Sequence, residues 1–229
     1  MSNKEIFLHI GTHKTGTTSI QQFLSDYNSV LNKFDIGFFE GRFIRSNHVE
    51  LHVAAMHPDR MSPIKHIRNL SPSAEFVCET KSAVRYFLEE SSLKKIVFSA
   101  EGLSYLRLPC ELEMLKSILG VDQVKIIVVL RSKMDFLRSY SEQLRKMGFS
   151  PSNERGSFLY VEPDSWLVDY ASLIGAYQDT FGKENVIVKS YSEELERYGS
   201  IIPSLLNILG VPSYIFSRDK DLWLNRSTG

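Results

Sequence analysis

One stretch constrains this chain more than any other: Gly11-Thr-His-Lys-Thr-Gly-Thr-Thr18, directly after the apolar run Ile6 to Ile10. The run before it reads as a buried strand. The stretch after it, Thr17 to Leu31, places Ile20, Phe23, Leu24 and Tyr27 on one helical face. A glycine-containing turn between a strand and a helix lets the backbone approach an anion closely. The helix start then offers free N–H groups and a positive dipole end. The sequence therefore predicts a phosphate cradle, with Thr12, His13, Lys14, Thr15, Gly16, Thr17 and Thr18 as its candidate contacts. The frame Gly11-x4-Gly16 is that of a P-loop, but Thr17 stands where the P-loop lysine belongs. The loop's lysine, Lys14, lies inside it. Chemistry on a nucleoside triphosphate (a kinase or another P-loop NTPase) is thereby the weaker alternative, beside a nucleotide-binding module without catalysis.

The remaining pattern predicts one α/β domain over 1–229. Ile36 to Phe39, Lys95 to Phe98, Val124 to Leu130 and Val186 to Lys189 read as further strands. Helices are expected over His48 to Met56, Ser73 to Glu90, Ser132 to Met147, Ser165 to Phe181 and Ile201 to Leu209. Pro58 and Pro63 break the pattern between the first two of these. Val124 to Leu130 is apolar and β-branched except for Lys125, as a central parallel strand requires. Strands alternating with helices imply right-handed crossovers. The expected fold is a three-layer αβα sandwich around a mainly parallel sheet of about five strands, P-loop NTPase-like. Ligands on such sheets sit at the carboxyl ends of the strands. Residues just after Ile10, Phe98 and Leu130 are thus the ones to weigh.

Composition narrows the partners. Lys+Arg and Asp+Glu both number 27, which argues against general nucleic-acid binding. Cys78 and Cys110 form no CxxC pair, so a reduced, cytoplasmic protein is expected. No apolar run is long enough for a signal peptide or a spanning helix, so no integral membrane segment is expected, and association with a membrane surface stays open.

The segment Ile6 to Leu24, with its lysine inside the loop, resembles the 5′-phosphosulfate loop of sulfotransferases, bacterial sulfotransferase-like proteins especially. Those enzymes use 3′-phosphoadenosine 5′-phosphosulfate (PAPS). The resemblance implies that Lys14 holds the sulfuryl group and the leaving phosphate, and that residues Thr15 to Thr18 hold the 5′-phosphate. It implies a 3′-phosphate site at Arg131 and Ser139, which have the family's strand-end arginine and helical serine spacing; the proline that often follows the arginine is absent. A planar guanidinium fork suits a phosphate. Tyr191, in Lys189-Ser-Tyr-Ser-Glu-Glu-Leu195, matches a position near the adenine, and Arg226, in Asn225-Arg-Ser227, matches a late loop over the nucleotide. No metal is implied.

Transfer to a hydroxyl calls for a base. Glu101, after the third strand, and His48, after the second, are the leading candidates, with Glu40 behind them. His9 alternates into the strand's core side, and the ring of His13 can simply point to solvent. His48 and His52 have zinc-ligand spacing, but Glu50 is misplaced for HExxH and no third ligand is evident. The acceptor loops are expected at Gly41 to Leu70 and Phe149 to Asp164. The first carries Arg42, Arg45, His48, Arg60, Lys65, His66 and Arg68, which suits an anionic or hydroxyl-rich acceptor such as a carbohydrate or glycolipid.

Overall fold

The structure, a computed structural model, describes residues 4–212. Asn225, Arg226 and Ser227 lie outside the described residues. The strands are β1 (Glu5–His9), β2 (Ile36–Phe38), β3 (Lys95–Ser99), β4 (Val124–Leu130) and β5 (Val186–Ser190). They form one sheet in the order β2-β3-β1-β4-β5, with every pairing parallel. The helices are α1 (Thr17–Asp26), α2 (Asn28–Leu31), α3 (Val49–Ala55), α4 (Pro63–Arg68), α5 (Ala74–Glu90), α6 (Pro109–Leu119), α7 (Lys133–Lys146), α8 (Tyr170–Phe181), α9 (Tyr191–Tyr198) and α10 (Ile202–Leu209). The expected three-layer fold is what the chain adopts.

Strand alternation sorts the core into two halves. Ile6, Leu8, Ile96, Phe98, Ile126 and Val128 face a core shared with α3, α5, α6, α7 and α8. Phe7, Val97, Ile127 and Val129 face the opposite core, closed by α1 and α10. β1 is central because both faces of its neighbours β3 and β4 are covered. The loop after it therefore opens at the middle of the sheet's carboxyl edge, where strand order reverses.

Several boundaries differ from expectation. The first helix stops at Asp26, with Tyr27 at φ −103°, and resumes as α2. Stacking of Phe23 on Tyr27, with ring centroids 5.0 Å apart, accompanies the break. The helix expected from Ser165 is a short 3-10 turn, Trp166–Val168, followed by α8. Three helices escaped the pattern reading: α4, α6 and α9, the last capped by Ser190, whose hydroxyl accepts from Glu193 N–H. α4 begins with Pro63 at its first turn, a position where proline starts rather than breaks a helix. α6 likewise has Pro109 at its start and buries Leu112, Leu115, Ile118 and Leu119, a spacing that was there to be read.

Candidate active site

The loop is anchored to its sheet before it reaches any ligand. Thr12 N–H donates to Val129 O at 2.8 Å, and its hydroxyl donates to the same oxygen at 3.2 Å. Thr15 Oγ1 donates to Thr12 O at 2.6 Å. Both threonine side chains are buried. Their hydroxyls therefore brace the loop, which corrects the expectation of nucleotide contacts through these two side chains. What they leave is the backbone beyond: Lys14 at φ 63° and Gly16 at φ 78°, leading into α1. Gly16 is the helix N-cap and supplies no side-chain cap. A Cβ at Gly16 would stand 3.1 Å from Ile201 Cγ2 and 3.3 Å from Tyr191 Cε2, so glycine is needed for space as well as for φ. Thr17 is buried and Thr18 exposed at the start of α1. This uncapped amino end, beside a lysine, fits a phosphorylated ligand.

Arg131 joins the same edge. Its Nη1 donates to Lys14 O at 3.2 Å, and its guanidinium lies 5.8 Å from the centre of the Tyr191 ring. Tyr191 opens α9 and also faces Gly16. Lys14, Gly16, Arg131 and Tyr191 are thus brought together by β1, β4 and β5. Ser139 is half-buried on α7, the helix that follows Arg131.

Glu101 is where strand order predicted it. Ala100 N–H donates to His9 O at 3.0 Å, so the end of β3 lies beside the loop. A Cβ on Gly11 would come within 3.1 Å of Glu101 Cα. The carboxylate is fixed: Oε2 accepts from Gln21 Nε2 at 2.8 Å and from Asn47 Nδ2 at 3.2 Å. Neither amide was foreseen, because Gln21 comes from α1 and Asn47 from the turn before α3.

His48 is not a base facing the loop. It is fully buried; Nε2 bonds to Phe39 O at 2.6 Å, and Ser99 N–H donates to Nδ1 at 3.0 Å. Both ring nitrogens complete the main-chain bonding of β2 and β3. Burial pushes its pKa from 6.5 to about 3, which the bond to Phe39 only partly offsets. Glu40, the third candidate, is ion-paired at 2.7 Å with Arg45 on the surface. His9 is a core histidine as expected, with Nδ1 2.8 Å from Ser99 Oγ. Among the described residues no group of three or more His, Cys, Asp or Glu side chains is placed to hold a metal.

His13 reverses its expectation. Its ring turns inward, 9% exposed, stacked on Tyr105 with centroids 4.8 Å apart and tilted against Tyr140 at 5.6 Å. Its Nε2 is enclosed with no hydrogen-bond partner. Leaving such an atom unpaired costs about 1–3 kcal/mol. Burial holds the imidazole below its ordinary pKa; Glu101 opposes this and Lys14 adds to it.

Beside His13 lies a cavity of about 190 Å³. Its lining mixes polar side chains, His13, Asn47, His52, Glu101, Tyr105, Tyr140 and Gln143, with the apolar Ile44, Val49, Ile64, Ile67, Leu144 and Met147. The expected acceptor loop Gly41 to Leu70 supplies much of this wall, folded into α3 and α4. The second expected loop meets it where Phe149 packs on His66, 5.2 Å between centroids. The first loop's cations are largely spent internally: Arg42 pairs with Glu79 at 2.7 Å, Arg60 with Glu111 at 2.5 Å, and Lys65 Nζ donates to the carbonyls of Pro58 and Arg60. They do not make an anion-collecting surface, which corrects the charge argument for an anionic acceptor.

Gly102 closes the cavity floor. A Cβ there would sit 2.3 Å from His52 Nδ1, and His52 is itself held at Nε2 by Ser62 Oγ at 3.1 Å. Gly102→Ala is expected to destabilise the fold by about 1–3 kcal/mol, read as a lowered urea midpoint with unchanged slope.

Comparison with known proteins agrees with this geometry. Residues 4–209 match the sulfotransferase domain family. No curated protein matches the sequence. Among solved structures, a sulfotransferase from Alicyclobacillus acidocaldarius is similar at 17% identity and a TM-score of 0.62, covering 97% of this chain and 89% of that one. The sulfotransferase domain from the curacin biosynthetic pathway is similar at 12% identity and a TM-score of 0.52, covering 91% and 74% respectively. A central parallel sheet, a loop with its lysine inside, and a family match over nearly all described residues converge: the chain belongs to the sulfotransferase domain family and is a sulfotransferase enzyme.

Proposed function

We propose that this single-domain enzyme transfers a sulfuryl group from PAPS to a hydroxyl on a largely apolar acceptor. The observation that carries this is the junction of two sites. The uncapped start of α1 with Lys14 lies beside Arg131 on one side and opens toward the cavity through His13 and Glu101 on the other. PAPS supplies an activated sulfuryl group on a good leaving phosphate. Lys14 is the cation for charge developing on that phosphate, and the amides of Thr15 to Thr18 orient it. Arg131 and Ser139 are the 3′-phosphate residues, and Tyr191 is the base-side aromatic. Arg226, outside the described residues, keeps its proposed place over the nucleotide.

For the acceptor, the cavity walls favour a hydroxyl carried on an apolar body. Of carbohydrate and glycolipid, glycolipid fits better: Ile44, Ile64, Ile67 and Leu144 suit an apolar body, and His13, Asn47 and Glu101 suit its hydroxyl-bearing end. No helix among the described residues is long and apolar enough to cross a membrane. Free, exposed Cys78 and Cys110 accord with a cytoplasmic setting, and a lipid-bearing acceptor accords with work at a membrane surface.

The direct test is calorimetry with 3′-phosphoadenosine 5′-phosphate and no metal. Saturable binding is expected, weakened by Arg131→Ala. A folded protein that does not bind the nucleotide overturns the proposal.

A further inference from the structure

We propose that His13 takes the acceptor's proton: the acceptor lies in the cavity between α3, α4 and α7, and its hydroxyl donates to His13 Nε2 as it attacks sulfur. This rests on the proposed function above. In the step, the acceptor O–H bond breaks and its proton passes to Nε2. The acceptor oxygen bonds to sulfur, and the bond from sulfur to the phosphate oxygen breaks. The departing electron pair stays on the phosphate, next to Lys14.

Four observations carry the assignment. His13 lines the cavity and directly precedes Lys14 in the loop, so one residue on each side of the reacting bond comes from a single braced segment. Its ring is fixed by stacking on Tyr105, whose hydroxyl is 2.8 Å from that of Tyr140. Its Nε2 is enclosed without a partner, as expected of a nitrogen whose partner arrives with the acceptor. The other titratable groups around it are each placed or engaged differently. Glu101 Oε2 accepts from two amides and acts on His13 through charge, stabilising the imidazolium once formed. Tyr105 and Tyr140 are buried phenols pushed above their ordinary pKa and stay protonated. His52 Nδ1 is also enclosed without a partner, but it packs against Gly102, and its Nε2 is held by Ser62 Oγ at 3.1 Å. His13, lowered but closest to the nucleotide loop, remains neutral at pH 7 and able to accept.

The experiment compares the wild-type chain, His13→Gln, His13→Ala and Glu101→Gln. Release of phosphoadenosine phosphate from PAPS is followed with an unactivated aliphatic alcohol, octan-1-ol, as the acceptor. Phosphoadenosine phosphate binding is measured separately by calorimetry, and His13 is titrated by ring-proton NMR. His13→Gln is expected to lose roughly 10²–10⁴-fold in turnover with nucleotide binding intact. Imidazole is expected to restore part of the activity of His13→Ala. Glu101→Gln removes a charge that raises His13's pKa. Its acid limb and the His13 NMR titration are therefore both expected to move to lower pH together. Turnover by His13→Gln close to wild type, with the nucleotide bound, overturns the role of His13. So does loss of the acid limb in Glu101→Gln, since that makes Glu101 the base. Failure of the wild-type chain to bind the nucleotide instead overturns the proposed function.

Discussion

Lys14→Ala is expected to lower sulfuryl transfer by roughly 10²–10³-fold, the usual loss when one preorganised stabiliser of developing charge is removed. The structure makes the experiment clean. Arg131 is held by the backbone carbonyl of Lys14, not by its side chain, so the substitution leaves that bond in place. The loop is braced by Thr12 and Thr15 to Val129 and to itself, which the substitution also spares. Alanine inherits the same φ of 63° and hence the same backbone strain as lysine. Nucleotide affinity is expected to fall far less than kcat, and the urea midpoint to stay put. Lys14→Arg is not expected to restore activity, because a broad guanidinium cannot replace a compact ammonium within the turn. Turnover by Lys14→Ala equal to wild type would remove the lysine from the chemistry.

The second large effect is on stability in acid. Burial is the leading cause that pushes His9 to about 4, His48 to about 3 and His52 to about 3. In the unfolded chain each returns to about 6.5. Above that pH both states are neutral and the histidines contribute no pH dependence. Below it the unfolded chain binds protons that the native state refuses, so stability falls as pH falls, until each group's native pKa is reached. The slope is about 1.4 kcal/mol per pH unit for each histidine. At pH 5 this sums to about 6 kcal/mol for three such groups, comparable with the whole stability of an ordinary domain, about 5–15 kcal/mol. The geometry supports the direction. A protonated His48 would turn an Nδ1–H against the Ser99 N–H that now donates to it. Urea midpoints at pH 7.5 and pH 5 are expected to differ steeply, and unfolding at pH 5 to take up close to three protons. A flat profile would mean these histidines are charged, or exposed, in the native protein.

How much of this was legible beforehand divides along residue lines. Lys14, Gly16 and the start of α1 were readable because a glycine turn between strand and helix is a local property, written in consecutive residues. The place of Arg131 at the end of an apolar strand was readable, whereas its phosphate role came only from the family resemblance. Glu101 was readable from strand order alone, since the end of β3 had to lie beside β1. α4 was missed because Pro63, which starts it, looks like a breaker when only the neighbouring residues are weighed; α6 was missed although its apolar spacing is helical, and α9 because its charged run shows little apolar periodicity. The role of the Thr12 side chain was misread because its partner across the sheet, Val129, is more than a hundred positions away, and that of Thr15 because its partner, Thr12 O, is set by the fold of the loop.

The sequence by itself determined the αβα frame, the loop and the lysine within it, because these follow from periodicity, glycine freedom and chain connectivity. Tertiary structure alone decided which histidine meets the site. His48 and His13 are equally polar in sequence. The main chain at His48 docks on β3 through Ser99 O, which turns the His48 ring into the main-chain bonding of Phe39 and Ser99, whereas His13 stacks inward on Tyr105 and Tyr140 at the wall of the cavity. Proton affinity follows burial and partners, and both are set by residues far apart in the chain.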